Sequence, residues 1–317
     1  MNHSVTVIIP VYNAEKWVSE AINSAIYQDI KDIEIIVIDD GSTDQSDQII
    51  SSYNDDRIIY IKQKNSGPSS ARNAGLSISR GKYIKFLDAD DFLLPGCLSS
   101  QIKHINDRNN TISYGRMLTY DENTGIILPH SKRDCQLDNA DSIDNILLVP
   151  PVTGSLLYPR DLLMGVGGFD TERKLMDDFD LLSRCILSGA VISSCKEPTY
   201  IYRNYISEHR VSKRSSRSDY FSLVKMFLNL KELYLEHKYN YDSKLVAEGI
   251  AKTAWIRART AIAHGYETEA TNLFKISRSL SNNCAVGRTP YIVASSLIGP
   301  KYAEYTMEFF KKIYRKK

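Results

Sequence analysis

The N-terminal part of the chain alternates short, continuous apolar runs with segments whose apolar residues recur every three or four positions. Continuous β-branched runs are typical of strands buried on both faces of a parallel sheet, and the longer spacing is that of a helix. The pattern predicts strands at 6–11, 33–38, 58–61 and 82–87, and helices at 14–27, after residue 43, and at 69–78. Because the two kinds of element alternate, we expect an α/β fold with a Rossmann-like, mostly parallel sheet.

The pattern changes twice further along the chain. Between residues 111 and 200 it predicts short strands at 112–120, 126–128 and 156–158, a turn at 167–170 and a helix at 179–188. Beyond residue 215 strand signals are sparse, and helices are predicted near 220–234, 245–263, 267–280 and 302–314. We therefore expect an α/β domain over residues 1–214 and a helical domain over residues 215–317.

Two of the predicted helices are preceded by residues that commonly cap a helix. Ser42 or Thr43 is predicted to cap the second helix, where Asp44 follows with a charge that suits the positive helix end. Ser218 is predicted to cap the helix near 220–234 in the same way.

Composition describes an ordinary globular protein: 43% of the residues are hydrophobic, 25% are charged, and the formal net charge is +2. Near-neutrality argues against a nucleic-acid partner. The five cysteines form no CxxC pair and the histidines show no metal-ligand spacing, which argues against a disulfide framework and a zinc site and favours a reducing compartment. No signal peptide is evident, and no stretch approaches the roughly 20 apolar residues that span a bilayer, so we expect a cytoplasmic protein.

Three polar clusters follow predicted strands: Pro10–Asn13, Asp39–Ser42 and Asp88–Asp91. In an open parallel sheet, ligands bind at the carboxyl ends of the strands. The third cluster places three carboxylates within four residues, and their repulsion is costly unless a cation compensates it. Mg²⁺ and Mn²⁺ prefer such carboxylates together with phosphate oxygens. A solvated turn is the alternative for each cluster alone, and a direct role for Asp91 stays open.

The segments VIIPVYNAE, IIVIDDGSTD, NSGPSSARNAGL and KYIKFLDADD, in this order, resemble the family 2 glycosyltransferases, which have the GT-A fold. The resemblance covers residues 4 to 212 and gives no information on the helical part. It implies that Pro10 and Tyr12 shape a nucleobase pocket, and that Asp39 accepts a hydrogen bond from the base, typically from uracil. Asp40 would orient its loop.

The same resemblance implies a diphosphate and metal site. Asn65 and Arg72 would lie beside the nucleotide, with the charge of Arg72 near the diphosphate. Asp88 and Ala89 would contact the nucleotide sugar, Asp88 on its ribose side. Asp90 would hold a divalent metal, Mn²⁺ or Mg²⁺, between the two phosphates. Such a cation stabilises the charge that grows on the departing nucleoside diphosphate.

The segment GGFDTERKLMDDFDLLSR resembles the turn and acidic pair that open a helix in this family. The second acid of the pair is the family's usual base, which implies Asp178, with Asp177 as the fallback, whereas Asp180 points to another side of the helix. A base opposite the leaving group implies direct displacement with inversion. The alternative is that these acids only complement the helix dipole.

The chain departs from the family pattern after this helix. The family often has Tyr-Arg-x-His, and here Tyr205 occupies the place of the histidine. The resemblance implies that Arg203 contacts the diphosphate. Whether His209 substitutes for the usual histidine stays open.

Together these features predict a one-sugar transferase, since the processive-synthase signature is absent. It would move a sugar from a nucleotide donor, a UDP-sugar, to a hydroxyl of a glycan or lipid-linked glycan in surface polysaccharide biosynthesis. A catalytically inactive binding module of the same fold and a sugar nucleotidyltransferase are the alternatives. Basic residues near 210–217 and 311–317 could contact an anionic membrane, with a solvated terminal helix as the alternative, and an oligomer stays open.

Overall fold

A computed structural model describes residues 4–105, 110–129, 142–205, 216–236, 240–287 and 289–314. The described parts of the chain form two compact units. One comprises Met1–Asp141 and Pro150–His209, and the other comprises Ser142–Val149 and Arg210–Lys317. The predictions for His209 and for the basic residues 210–215 and 315–317 fall outside the described residues.

The first unit is built on a nine-stranded sheet. Its strands are β1 Val5–Val11, β2 Ile33–Asp39, β3 Ile58–Lys62, β4 Tyr83–Phe86, β5 Phe92–Leu93, β6 Thr111–Asp121, β7 Ile126–Pro129, β8 Leu156–Pro159 and β9 Val191–Asn204. They lie in the order β3-β2-β1-β4-β8-β6-β9-β5, with β7 paired to β6.

The first half of the sheet is parallel, as the apolar runs predicted. Strand β1 pairs in parallel with β2 and β4, and β2 pairs in parallel with β3. Every residue of β2 is buried, which is the environment that a continuous β-branched run requires. The mainly α/β architecture with a helical C-terminal part is confirmed.

The second half of the sheet is mixed and contains a strand that the sequence pattern did not predict. Strand β9 pairs in parallel with β6 and antiparallel with β5. Its register against β6 jumps from Cys195, opposite Gly115, to Pro198, opposite Arg116. This bulge breaks the alternation of apolar and polar residues by which a strand is recognised, and it accommodates Pro198, which has no N–H to donate.

Among the described residues of the first unit there are six helices: α1 Val18–Ile26, α2 Ser46–Ser51, α3 Pro68–Ile78, α4 Cys97–Lys103, α6 Arg160–Gly165 and α7 Asp177–Leu187. The predicted cap of α2 was wrong, because this helix begins at Ser46, beyond Ser42 and Thr43. The Ser42 hydroxyl instead accepts the backbone N–H of Asn13 at 3.0 Å, and thereby joins the loop after β2 to the loop after β1.

The second unit contains α5 Ile143–Leu148, α8 Arg217–Glu236, α9 Ser243–Ala263, α10 Glu267–Leu280, α11 Thr289–Leu297 and α12 Pro300–Tyr314. Helices α5 and α9 approach closely at Gly249, where a Cβ atom would lie 2.7 Å from the Leu147 side chain. The predicted cap of α8 was also wrong, because Ser218 lies inside the helix. Ser216 and Asp219 form a reciprocal capping box in its place. Within the described residues, no helix is both long and apolar enough to cross a bilayer.

Candidate active site

The loops after β1 and β2 are tied together by side-chain to backbone hydrogen bonds. Asn13 has a positive φ of 49° and accepts the backbone N–H of Thr43 at 2.8 Å. The Asp44 carboxylate accepts the backbone N–H of Glu15 at 3.0 Å. These bonds hold the loop that carries Tyr12, whose side chain is 53% exposed, against the loop that follows Asp39.

Asp39 lies at the end of β2 and is fully buried. One of its carboxylate oxygens accepts the backbone N–H of Ser42 at 2.8 Å. Tyr60 donates to the other oxygen at 3.3 Å, although its stronger contact is with Asp47 at 2.6 Å. Lys62 lies 3.8 Å from Asp39. Asp39 is therefore a rigidly held acceptor at the edge of the sheet.

Asp40 holds the next loop rather than facing the site. Its carboxylate accepts the backbone N–H groups of Ser66 and Gly67, each at 2.8 Å, and it also accepts Gln63 at 2.7 Å. Asp40 therefore holds the loop that follows β3, and its predicted role in orienting its own loop stays a prediction. The exposed Asn65 lies on the loop that these bonds fix.

Arg72 connects three elements that are far apart in sequence. It is buried on α3, donates to Asp88 at 2.6 Å and to Asp177 at 3.1 Å, and stacks over the Phe169 ring at 5.1 Å. Burial acts to lower the pKa of Arg72, but the charges of Asp88 and Asp177 outweigh it and raise the pKa. The structure therefore brings together the predicted nucleotide-contacting residues and the acidic start of α7.

The acidic loop after β4 presents its carboxylates in two directions. Asp88 is partly exposed and Ala89 is buried. Asp91 is buried, where it accepts the Tyr200 hydroxyl and the backbone N–H of Arg203. Burial, followed by the charges of Asp90 and Asp88, raises the pKa of Asp91 well above its ordinary value. Asp91 therefore anchors the loop to β9.

Arg203 supports the backbone of the same loop. Its guanidinium donates to the carbonyl oxygen of Asp90 at 2.9 Å and packs against the rings of Phe92, at 5.4 Å, and Tyr120, at 5.1 Å. It also forms ion pairs with Glu20 and, at 2.6 Å, with Glu122. The predicted diphosphate contact of Arg203 stays a prediction, and the carboxylate partners of this residue were not foreseen.

Tyr205 reaches the predicted metal residue. Its hydroxyl donates to the Asp90 carboxylate at 3.0 Å, and its ring packs on Trp17 with centroids 4.3 Å apart. The departure from the family pattern marked this position in the sequence, but only the folded chain shows that the phenol contacts Asp90.

Asp178 lies in the first turn of α7, and this helix begins directly after Met176, which has a positive φ of 61°. Burial and then the charge of Asp177 raise the pKa of Asp178 to about 6 from an ordinary 3.8, while Arg72 acts in the opposite direction. Asp180 is buried and pairs with Arg184 at 2.7 Å, so it faces away from the site, as predicted. Asp178 is thus a carboxylate suited to accept a proton near neutral pH.

The profile described as "Glycosyl transferase family 2" matches residues 6–166. This chain belongs to the family 2 glycosyltransferases. It is 36% identical over 152 residues to the glycosyltransferase GlyA of Streptococcus pneumoniae, a match that covers 46% of this chain and 22% of GlyA. It is 29% identical over 254 residues to the minor teichoic acid biosynthesis protein GgaB of Bacillus subtilis, covering 75% of this chain and 27% of GgaB.

Among solved structures, the chain resembles Staphylococcus aureus TarS 1-349 in complex with UDP-GlcNAc. The TM-score is 0.73 at 19% identity, and the match covers 96% of this chain and 91% of TarS 1-349. This likeness confirms the GT-A fold. The chain spans only about a quarter of the length of GlyA and of GgaB, so their whole-protein activities are not carried over.

Proposed function

We propose that the protein is an inverting, metal-dependent glycosyltransferase that moves one sugar from a nucleoside diphosphate donor to an acceptor hydroxyl. The observation that carries the proposal is the double contact of Arg72 with Asp88 and Asp177. This double contact connects the helix that carries Asp178 with the edge of the sheet, where a nucleotide would bind. A leaving-group site and a candidate base thereby belong to one constellation.

The acidic loop suits a hard divalent cation, Mn²⁺ or Mg²⁺. Asp90 would hold the ion, since Asp91 is committed to Tyr200 and to the backbone of Arg203. Carboxylate oxygens that lie beside a diphosphate are the donor set that such ions prefer. The bound ion would supply charge stabilisation to the departing nucleoside diphosphate.

Asp178 would act as the general base. Its pKa of about 6 leaves it mostly ionised at neutral pH and still basic enough to accept the proton of a hydroxyl. The charge of Asp177, which pairs with Arg72, contributes to this raised pKa after burial. In-line attack on the face opposite the diphosphate inverts the anomeric carbon.

The donor is proposed to be a UDP-sugar. Asp39 is fixed as an acceptor by Ser42 and is placed beside the exposed Tyr12, an arrangement that suits the N3–H of uracil and a stacked base. Pro10 is the second-last residue of β1, the strand that leads into the Tyr12 loop. The TarS complex, which holds UDP-GlcNAc, supports the same nucleotide. The similarity to GgaB supports a cell-surface polymer as acceptor, in a glycan or lipid-linked form.

The test is nucleoside diphosphate release from a panel of nucleotide sugars, with Mn²⁺, with EDTA, and with Asp90→Ala. Asp161→Ala is the matched control, because that carboxylate is fully exposed on α6. We expect one donor to be hydrolysed slowly, and this hydrolysis to stop with EDTA and in Asp90→Ala only. Nucleotide binding without turnover, even with glycan acceptors added, would favour the inactive binding module. Failure to bind any nucleotide would refute the proposal.

A further inference from the structure

A mixed cluster of potential metal ligands lies on α4 and β9, apart from the acidic loop. A ring nitrogen of His104, the Cys195 thiol and the Glu197 carboxylate offer ligand atoms that all lie within 4.8 Å of one another. His104 directly follows α4 and is half-buried, Cys195 is buried, and Glu197 is exposed. The cluster therefore has a buried sulfur at its base and an opening to solvent.

The bulge in β9 creates this arrangement. The register places Cys195 opposite Gly115 and Pro198 opposite Arg116, so Lys196 and Glu197 are the extra residues of the bulge. The Glu197 carboxylate turns back over its own strand and accepts the Cys195 thiol at 3.1 Å.

The separations suit a tetrahedral zinc site. Ordinary zinc–ligand bond lengths place two ligand atoms about 3.4 to 3.6 Å apart. The sulfur–oxygen separation of 3.1 Å is slightly shorter than this range. The upper limit of the separations in the cluster, 4.8 Å, exceeds the range by about 1.2 to 1.4 Å. A thiol, an imidazole and a carboxylate form a set that zinc-class ions prefer over Mg²⁺. A water molecule would complete the tetrahedron.

Ser100 supplies the outer contacts that such a site requires. Its carbonyl oxygen accepts from Nδ1 of His104 at 2.9 Å, which leaves Nε2 as the nitrogen with a lone pair. Its hydroxyl lies 3.0 Å from the Cys195 sulfur and 3.2 Å from the Glu197 carboxylate. One residue of α4 thus contacts all three potential ligands.

We propose that His104, Cys195 and Glu197 bind a zinc-class divalent cation that pins α4 to the bulge of β9. This site is chemically distinct from the oxygen-lined acidic loop. On binding, the cation displaces the thiol proton, which passes to solvent. The far end of β9 carries Tyr200 and Arg203, which hold the acidic loop, so the ion would stabilise a strand that the active site depends on.

The experiment is a Co²⁺ titration of the EDTA-stripped full chain, followed by displacement with Zn²⁺ in competition with a chromophoric chelator. We expect a thiolate-to-cobalt charge-transfer band in the near ultraviolet and release of about one proton per ion bound. Zn²⁺ should remove the band and raise the melting temperature.

The variants separate this site from others. His104→Gln and Glu197→Gln change side chains that reach the surface and should each weaken binding by at least about 100-fold, beyond the loss typical of an outer contact. Cys195→Ser should abolish the charge-transfer band. Cys97→Ala, which removes another buried thiol of α4, and Asp90→Ala should leave the band unchanged. Absence of the band in the wild-type chain, or its survival in Cys195→Ser or His104→Gln, would overturn the proposal.

Discussion

The protonation of Asp178 offers a direct test of its assignment as the base. A carboxylate accepts a proton only in its ionised form, so a raised pKa removes activity as the pH falls through that pKa. The charge of Asp177 contributes to the raised pKa, and Arg72 opposes it. The perturbation is Asp177→Asn, which removes the repelling charge and retains the shape of the side chain. The acid limb of the pH profile should then move to lower pH.

The size of the wild-type effect follows from the pKa. With a pKa of about 6, about a tenth of Asp178 is ionised near pH 5 and about nine-tenths near pH 7, so the rate should rise roughly tenfold between them. A carboxylate with the ordinary pKa of 3.8 would be almost fully ionised at both values, and the rate would be nearly constant.

The assay is kcat/KM for nucleoside diphosphate release from pH 4.5 to 8 (roughly the span that brackets the acid limb), using the donor that the panel identifies. Asp161→Asn, which removes a fully exposed charge, is the control and should keep the wild-type limb. Asp178→Asn should reduce kcat by about 10²- to 10⁴-fold. A wild-type profile without an acid limb near pH 6, or a limb that Asp177→Asn leaves in place, would refute the reasoning.

Three further outcomes follow from the loops around the site. Gly41→Ala places a side chain at a φ of +78°, with its Cβ atom 2.9 Å from the backbone nitrogen of Asn65. This change should lower the free energy of unfolding by about 1–3 kcal/mol and weaken nucleotide binding. Calorimetry that shows unchanged stability and unchanged nucleotide binding would contradict this. Asp91→Ala removes the acceptor of the Tyr200 hydroxyl and of the Arg203 backbone N–H. Each lost hydrogen bond should lower the free energy of unfolding by about 1–3 kcal/mol, as measured by chemical denaturation. A nearly unchanged free energy of unfolding would contradict the anchoring role of Asp91. Tyr205→Phe keeps the ring but removes its hydrogen bond to the Asp90 carboxylate, so the half-saturating concentration of Mn²⁺ should fall about 2- to 10-fold in a binding titration. A rise would instead mean that the phenol assists metal binding.

The parallel half of the sheet could be read from the sequence because its causes are local. A strand such as β2 is buried along its whole length, and its residues from Ile35 to Ile38 are all apolar, so the strand can be recognised without knowledge of its partners. The helix starts were less predictable. Serine commonly caps helices, yet the Ser42 hydroxyl accepts a hydrogen bond from the backbone N–H of Asn13, twenty-nine residues away.

Strand β9 shows where local patterns fail. It is fourteen residues long, and its bulge and Pro198 interrupt the alternation of apolar and polar residues. Its partners, β6 and β5, are distant in sequence, and pairing with them determines its conformation. Tyr200 and Arg203, which hold the acidic loop, lie on β9. Because β9 was not predicted from the sequence, these contacts could not be predicted either.

The sequence by itself determined the family, the order of the acidic motifs and the candidate residues, because these depend on residue type at short spacing. Only the tertiary structure decided which charges meet. Arg72 contacts Asp88 and also Asp177, which lies 105 residues further along the chain, and burial followed by the charge of Asp177 raises the pKa of Asp178. The same holds for Cys195: its spacing to His104 indicates no metal site, and it is the pairing of β9 beside α4 that brings a thiol, an imidazole and a carboxylate together.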